Sequence, residues 1–191
     1  MRKSKQEALR TRERIVAAAS EEFRQHGIVA TGLADLMAAA GLTHGGFYKH
    51  FRSKAELISE AATAAIGTTT QAMQTIGSER PGRAGLKRLV AKYLSADHRD
   101  DPGAGCPIAA LGAELARCDE KTRDAATQGL RDYIGVLATH LDSLKPSEAT
   151  NRAMASFATM VGALTLARIA NDEKLSQAIL RNAQEMILNF T

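Results

Sequence analysis

The stretch that decides the fold spans residues 34–58 and reads ADLMAAAGLTHGGFYKHFRSKAELI. Apolar residues recur at helical spacing before Gly41, so the pattern predicts a short helix that ends at this glycine. Thr43 is placed to cap a second short helix, on which Phe47 and Phe51 stand four residues apart on a buried face. Two short helices joined by a tight glycine turn are typical of a helix-turn-helix, whose second helix lies in the major groove of DNA.

The outward side of the second short helix carries groups that suit DNA. The hydroxyls of Thr43 and Tyr48 can bond phosphate, and paired glycines let the backbone approach closely. His44 and Lys49 can meet phosphate or base edges. Lys54 begins the following helix, where its charge and the free N–H groups of a helix N-terminus could jointly hold a phosphate. The predicted DNA contacts are Thr31, Gly32, Thr43, His44, Gly45, Gly46, Tyr48, Lys49, His50 and Lys54.

Helices are also predicted on both sides of this unit. A helix over about residues 11–26 precedes it, with Gly27 as the C-terminal cap. Ser53 and Glu56 form an S-x-x-E capping box, which indicates that a fourth helix starts there and continues to about residue 76.

The remaining sequence is also predicted to be helical. Strand signals are almost absent, so we expect an all-α protein of about nine helices. Loops are expected at residues 77–85 and 97–105, where Gly, Pro and charged residues cluster. Pro107 suits the first turn of a sixth helix. The other helices are predicted at residues 86–96, 121–144, 147–171 and 173–190.

The charge distribution agrees with a domain boundary near residue 54, which divides the chain into residues 1–54 and 55–191. The first part holds ten Lys or Arg and five Asp or Glu, whereas the second holds fifteen and sixteen. A basic end favours a polyanionic partner, and Arg2, Lys3 and Lys5 could add minor-groove or backbone contacts. A charge run by itself is more often a solvated face, so the motif and not the charge carries the DNA interpretation.

The motif at residues 34–58 closely resembles the core of the tetracycline-repressor (TetR/AcrR) family of bacterial regulators. The resemblance is carried by Phe47-Tyr48, His50-Phe51, Ser53-Lys54 and Leu57. One departure is Met37, which stands where the family motif usually carries Ala. The resemblance implies an N-terminal helix-turn-helix domain and a helical C-terminal domain that binds a ligand and dimerises through its last two long helices. The implied partners are a palindromic double-stranded DNA operator, a small-molecule effector and a second copy of the chain.

Helix faces suggest where the ligand and the second copy would bind. A pocket among helices four to eight would suit an apolar or aromatic molecule and could tilt the fourth helix. Its predicted lining is Tyr93, Cys106, Ile108, Leu111, Leu115, Tyr133 and Phe157. Small and apolar residues on the last two helices predict the dimer face. The residues chosen for it are Ala155, Ala158, Gly162, Leu166, Ile179 and Met186, and the same positions could instead be core.

The sequence gives no sign of catalysis, a cofactor or a metal site. No nucleophile elbow, phosphate-binding loop or zinc-ligand helix is present. A metal site at His98, Asp100, Asp101 and Cys106 has irregular ligand spacing and is discounted. Cys106 beside a helix N-terminus could be a reactive sensor, although a free cysteine more often packs as a small buried hydrophobe.

The sequence lacks an apolar leader and any run of about 18 consecutive apolar residues, which predicts a protein without a signal peptide or membrane span. Its two cysteines do not form a disulfide framework, so a cytoplasmic location is predicted. The leading hypothesis is therefore a dimeric, ligand-released repressor. One alternative is a helical small-molecule-binding protein or enzyme that has lost DNA readout. A second is a protein that coats DNA without sequence preference, which strong discrimination for one palindrome would exclude.

Overall fold

The computed structural model describes residues 5–190, so the predicted contacts of Arg2 and Lys3 lie outside the described residues. Between Lys5 and Phe190 all the regular secondary structure is helical, without a strand, which confirms the all-α prediction. None of the described helices is long and apolar enough to cross a membrane. The elements are α1 (Lys5–His26), α2 (Leu33–Ala39), the 3₁₀ helix η1 (His44–Lys49), α3 (Lys54–Ser78), α4 (Gly82–Tyr93), α5 (Ala96–Asp100), α6 (Pro107–Leu115), α7 (Glu120–Ala138), α8 (Pro146–Ile169) and α9 (Glu173–Phe190).

The described chain has ten helices, where about nine were predicted. The additional one is α5, within a segment that was predicted to be a loop. It forms because the Ser95 hydroxyl accepts a hydrogen bond from the backbone N–H of His98 at 3.2 Å, which caps a short helical turn. The third predicted helix is the 3₁₀ helix η1, since Gly45 and Gly46 make a regular α-helix costly in this short segment.

The structure confirms the predicted helix ends around the N-terminal unit of α1, α2, η1 and the first turns of α3, named the DNA-reading unit after the role predicted for it. Gly27 and Gly41 adopt φ angles of 87° and 66°, the left-handed conformation that glycine accepts without steric cost. The Ser53 hydroxyl accepts from Glu56 N at 3.1 Å, as the capping box requires. In a complete capping box the Glu56 carboxylate would accept a hydrogen bond from the backbone N–H of Ser53. Here it accepts one from the backbone N–H of Arg52 instead, at 2.7 Å.

Two hydrophobic cores share α3. The first core joins α1, α2, η1 and the first turns of α3, including Leu57 and Ala61. The second core joins the later turns of α3, including Ile66 and Met73, to α4 and to α7–α9. Because one continuous helix contributes to both cores, a displacement of α3 in one core is passed to the other.

A close helix crossing in the second core lies between α3 and α7. Gly129 makes it possible, since a Cβ atom at this position would lie 2.4 Å from Cγ2 of Ile66. One turn later, the buried Tyr133 hydroxyl donates to the backbone carbonyl of Ile66 at 3.3 Å. The close contact and the hydrogen bond at this crossing therefore fix the position of α3 along its own axis relative to α7.

Candidate nucleic-acid interface and ligand cavity

The helix η1 is held on the first core by its aromatic residues. Phe47 and Phe51 are buried, and their rings stack with centroids 5.6 Å apart. Thr43 stands at the N-cap position as predicted, but within the described chain its hydroxyl makes no capping hydrogen bond. Met37 lies fully buried beneath η1, and its Cε atom would be 3.5 Å from a Cβ atom on Gly46. The flexible Met37 side chain therefore fits where the family motif has Ala, beside a residue without a side chain.

The outer face of η1 presents five of the ten predicted DNA contacts together. The Tyr48 side chain is 68% exposed, and its ring stands edge-on to Phe47 with centroids 5.1 Å apart. The other exposed residues on this face are Thr43, His44, Gly45 and Lys49.

Two predicted contacts point inward instead. Thr31 is only 3% exposed, and its hydroxyl donates to the carbonyl of Gly27 at 2.6 Å. The ammonium group of Lys54 donates to the carbonyls of Ile28 and Thr31 at 2.7 and 2.6 Å. These bonds tie the α1–α2 loop to the first turn of α3, so the side chains of both residues are engaged within the protein.

The remaining predicted contacts, Gly32, Gly46 and His50, are half-buried. The backbone N–H of Gly32 donates to Asp35 Oδ2 at 3.3 Å, next to the N-terminus of α2. The carbonyl of His50 accepts a hydrogen bond from Arg12.

Arg12 clamps η1 to α1 and α3, a role that sequence reasoning missed. Besides bonding the carbonyl of His50, its guanidinium pairs with Glu56 at 3.1 Å and also with Glu60. The guanidinium carbon lies 4.0 Å from the centroid of the Phe51 ring. The pKa of Glu56 is lowered first by the hydrogen bond from Arg52 N and then by Arg12. The partners of Arg12 lie 38 to 48 residues away, so no local sequence signal marks it.

A cavity of about 290 Å³ opens in the C-terminal part between α3, α4, α5 and the segment that leads to α6. This volume is at the small end of the range for ligand sites, which is roughly 300–1,000 Å³. Of the predicted lining residues, the cavity includes Tyr93 and Cys106. Its lining residues are Thr68, Thr69, Ala72, Met73, Ile76, Leu89, Lys92, Tyr93, Asp97, His98, Asp101, Ala104, Gly105 and Cys106.

The other predicted lining residues lie elsewhere, and those assignments are wrong for this cavity. Leu111 and Leu115 pack into the first core, because α6 lies against the DNA-reading unit. Tyr133 and Phe157 fill the second core, with ring centroids 5.2 Å apart. Ile108 is half-buried against both cores. Helix faces identified these residues as buried, but periodicity does not reveal which of two cores a buried face joins.

His98 fixes the shape of the cavity wall. Its Nε2 atom accepts from the backbone N–H of Cys106 at 2.9 Å, so the ring proton resides on Nδ1 and is donated to the carbonyl of Tyr93 at 2.6 Å. The imidazole thereby joins the end of α4 to the start of α6. Desolvation lowers the pKa of His98, which favours the neutral ring that this arrangement requires.

Cys106 has the environment of a structural cysteine. It is 1% exposed, and burial raises the pKa of its thiol. Reactivity follows the thiolate, which this environment disfavours. The structure therefore gives no support to a reactive Cys106.

The segment between α5 and α6 joins the cavity to the DNA-reading unit. The carbonyl of Gly103 accepts a hydrogen bond from Arg24 Nε at 2.6 Å, and its N–H donates one to Gln25 Oε1 at 3.1 Å. Both backbone groups of Gly103 are therefore bonded to α1. A second link follows on α6, where Glu114 accepts from the backbone N–H of Val29 at 3.0 Å. Movement of this cavity wall would act directly on the end of α1 and on the α1–α2 loop.

The same segment is tied to the last two helices. Arg168 on α8 donates to the carbonyls of His98 and Arg99 at 2.7 and 3.0 Å. Arg99 in turn donates to Ser176 on α9 at 2.9 Å and pairs with Glu173 at 3.1 Å. Helix α5 thus contacts the cavity on one side and α8 and α9 on the other.

An apolar stripe runs along the outer side of α8 and α9. Leu166 is 56% exposed, and Ile169 is more exposed still. Most of the predicted dimer residues belong to this exposed stripe, namely Ala155, Ala158, Gly162, Leu166 and Met186, whereas Ile179 is half-buried. Helix α8 is therefore apolar on its core face and also on the opposite face.

Comparisons with known proteins agree with this geometry. A family model described as bacterial regulatory proteins, tetR family, matches residues 15–61. A second, described as transcriptional regulator LmrA/YxaF-like, C-terminal domain, matches residues 83–185. An HTH-type transcriptional regulator of Mycobacterium tuberculosis is 30% identical, over 93% of this chain and 94% of the relative. A probable acrEF/envCD operon repressor of Escherichia coli is 41% identical over 53% of this chain and 38% of the relative.

Solved structures show the same fold along the chain. A TetR transcriptional regulator from Chloroflexus aurantiacus has a TM-score of 0.80 and 25% identity, covering 97% of this chain and 96% of that one. Reduced NemR of Escherichia coli has a TM-score of 0.76 and 25% identity, covering 94% and 96%. Since a family model covers more than half of the chain and a relative matches nearly its full length, the chain belongs to the TetR family of transcriptional regulators, with a helix-turn-helix DNA-binding domain.

Proposed function

We propose that this regulator is a repressor that binds a palindromic operator as a dimer and is released by a small molecule in the cavity. Residues 1–54 read DNA, and residues 55–191 bind the effector and form the dimer. The observation that carries the proposal is the exposed face of η1, where Tyr48 stands edge-on to the buried Phe47 ring and Lys49 is exposed next to it. Repression is supported by the E. coli relative described as a probable operon repressor.

The DNA contacts come from Thr43, His44, Gly45, Tyr48 and Lys49, with close backbone approach at Gly32, Gly46 and His50. Lys49 supplies a charge to phosphate, and Tyr48 offers a hydroxyl on a ring that η1 holds in place. Two copies of η1 in a twofold dimer would enter successive major grooves about 34–36 Å apart or a multiple of that distance.

Release follows from coupling between the cavity and α1. A molecule that binds better when the 101–106 segment has moved must weaken DNA binding by the same coupling free energy. Gly103 is the point of transmission, because both of its backbone groups bond to α1. Helix α3 offers a second route, since it lines the cavity and also carries the Lys54 and Glu56 contacts to the DNA-reading unit.

The dimer face is the apolar stripe of α8 and α9. Exposed large apolar residues in a contiguous stripe mark a protein interface. The small residues Ala155, Ala158 and Gly162 allow the helices of two copies to approach closely. Replacing Leu166 with Arg should shift the protein to monomer in sedimentation velocity at micromolar concentration, whereas Arg152→Ala at the edge of the same helix should leave a dimer. A dimer that persists in Leu166→Arg would contradict this face.

DNA reading is tested by fluorescence anisotropy with the DNA upstream of the chain's own gene, over a salt series. We expect specific binding that weakens steeply with salt, and Lys49→Ala should reduce the slope by about 0.9 for each phosphate that the variant no longer neutralises. Tyr48→Ala should weaken binding while the fold is retained. Lys54→Met is the matched control, because its amine bonds backbone carbonyls and should change stability more than the salt slope. Absence of specific binding by the parent protein would instead favour a helical ligand-binding protein or enzyme.

A further inference from the structure

The short helix α5 forms one wall of the cavity without an apolar anchor of its own. None of its five residues is fully buried, although Asp97 and His98 both belong to the cavity lining. A helix of this length is not stable alone, because the first helical turn is costly to form. The position of this wall therefore depends on polar bonds that reach α5 from neighbouring helices.

Arg168 on α8 supplies one set of these bonds. Its Nε and Nη2 atoms donate to the carbonyls of Arg99 and His98 at 3.0 and 2.7 Å. These carbonyls lie in the last turn of α5, where a helix leaves its carbonyl groups without partners of its own. Arg168 also adjoins the lining residue Gly105, where a Cβ atom would lie 3.2 Å from its Nη2 atom. The end of α5 is therefore bonded to the body of the protein from the side of α8.

Arg99 supplies a second set of bonds, towards α9. Its side chain donates to the Ser176 hydroxyl at 2.9 Å and pairs with Glu173 at 3.1 Å. The Ser176 hydroxyl donates in turn to the carbonyl of Ala167 on α8 at 2.7 Å. Since Ser176 is only 2% exposed, breaking these bonds would leave buried polar groups without partners. The end of α8, the start of α9 and α5 thus belong to one polar network.

The same end of α8 carries strongly exposed residues of the apolar stripe. Leu166 and Ile169 are 56% and 72% exposed, and they stand on either side of Arg168 in the last turn of the helix. Terminal helical turns open most readily, because their carbonyl groups lack partners within the helix. A second copy of the chain that covers Leu166 and Ile169 would hold this turn closed, and Arg168 with it.

We infer that dimerisation orders the cavity: a partner copy on the stripe fixes the last turn of α8, and Arg168 in this turn holds α5 in the cavity wall. Arg168 is a positioning residue, since it is not among the described residues that line the cavity. The coupling is reciprocal, so a molecule that binds the cavity with α5 in place strengthens the dimer by the same factor. This inference rests on the proposed dimer face and adds that this face controls the order of the cavity.

The test follows the backbone amides of residues 98–106 by hydrogen exchange and mass spectrometry, on the full-length protein without DNA. Leu166→Arg, expected to give a monomer in sedimentation velocity, should raise the exchange rates of this segment about tenfold. Ile169→Arg is a second variant with the same expectation. Residues 125–135 of α7 are the internal reference, and their rates should change by less than about twofold. Arg152→Ala, elsewhere on α8, should leave the dimer and the rates of both segments as in the parent protein.

Arg168→Met separates this coupling from a merely local role of the arginine. It removes both bonds to the α5 carbonyls and should raise the rates of residues 98–106 about tenfold even in the dimer. Leu166→Arg added to Arg168→Met should then raise these rates by at most about threefold more, because the bonds that carry the partner's effect to the α5 backbone are gone. Two independent effects would instead multiply to about a hundredfold.

The outcomes distinguish this inference from the dimer face on which it rests. Parent-like rates at residues 98–106 in a Leu166→Arg or Ile169→Arg monomer overturn the inference while the dimer face stands. An equal rise in residues 125–135, parent-like rates in Arg168→Met, or independent effects in the double variant overturn it as well. If both stripe variants remain dimers, the proposed dimer face is wrong and the inference is wrong with it. None of these measurements involves the operator, so they leave the proposed DNA reading to its own test.

Discussion

Arg24 of α1 donates from its Nε atom to the carbonyl of Gly103 at 2.6 Å, and this hydrogen bond joins the DNA-reading unit to the segment that forms the cavity wall. The Nη1 atom of the same guanidinium donates to the Ser20 hydroxyl at 2.7 Å, which fixes the side chain along α1. The DNA-reading unit and the cavity wall are therefore in direct contact and not only connected through α3.

The first prediction concerns this bond. Arg24→Met keeps the apolar stem but removes the donor, so the free energy of unfolding should fall by about 1–2 kcal/mol, as expected when a charge-assisted hydrogen bond is removed. The coupling between cavity and DNA should weaken as well. Urea denaturation measures the first effect, and the change in operator affinity on adding a cavity ligand measures the second. An Arg24→Met variant with full ligand response would show that transmission runs through α3.

The second prediction concerns Arg12, which bonds the His50 carbonyl and pairs with Glu56 and Glu60. Arg12→Met should lose about 1–3 kcal/mol of unfolding free energy, because one side chain serves three partners and packs on Phe51. Operator affinity should also fall, since the end of η1 loses its anchor. Arg10→Met is the matched control, because Arg10 is exposed on the same helix. Equal stability of the two variants in urea would contradict the clamp.

Local signals predicted the elements of the DNA-reading unit correctly. The Gly41 turn, the buried Phe47 and Phe51 pair and the Ser53 cap each depend on residues within a few positions of one another. Lys54 was predicted as a phosphate contact for the same local reason, its place at a helix N-terminus. Its actual partners, the carbonyls of Ile28 and Thr31, lie 26 and 23 residues earlier and cannot be found from local spacing.

The cavity was predicted less well, because its walls depend on how the helices are arranged. Tyr93 and Cys106 do line the cavity, whereas Leu111 and Leu115 belong to the core of the DNA-reading unit. An apolar helix face predicts burial but not the neighbour that buries it. The short helix α5, which supplies the wall residue His98, was missed because five residues give too little periodicity to detect.

The third prediction concerns pH. Because desolvation lowers the pKa of His98 from its ordinary value of 6.5, the folded protein favours the neutral ring more than the unfolded chain does. The resulting stability is present above about pH 6.5 and is lost as the pH falls through the lower, folded-state pKa. The melting temperature should therefore decline more between pH 7 and 5 in the parent protein than in His98→Asn, which does not titrate. Parallel curves for the two proteins would contradict the assigned role of the ring.

The last prediction uses two glycines of α7 that differ only in their surroundings. A Cβ atom on Gly129 would lie 2.4 Å from Cγ2 of Ile66, whereas a Cβ atom on Gly135 would meet no atom of the described chain within 4 Å. Gly135→Ala should raise the free energy of unfolding by about 0.5–1 kcal/mol, because alanine is the better helix former. Gly129→Ala should lower it by about 1–3 kcal/mol through overpacking.

Because Ile66 lies on α3, Gly129→Ala should also displace this helix and weaken operator binding, while Gly135→Ala should bind DNA like the parent protein. Urea denaturation and the anisotropy assay measure the two effects on the same samples. If Gly129→Ala is as stable as Gly135→Ala, then α3 and α7 can move apart at little cost, and the crossing does not hold α3 in register with the DNA-reading unit. If Gly129→Ala is destabilised yet binds DNA normally, the crossing supports the body of the protein alone, and the link through Arg24 and Gly103 carries the coupling.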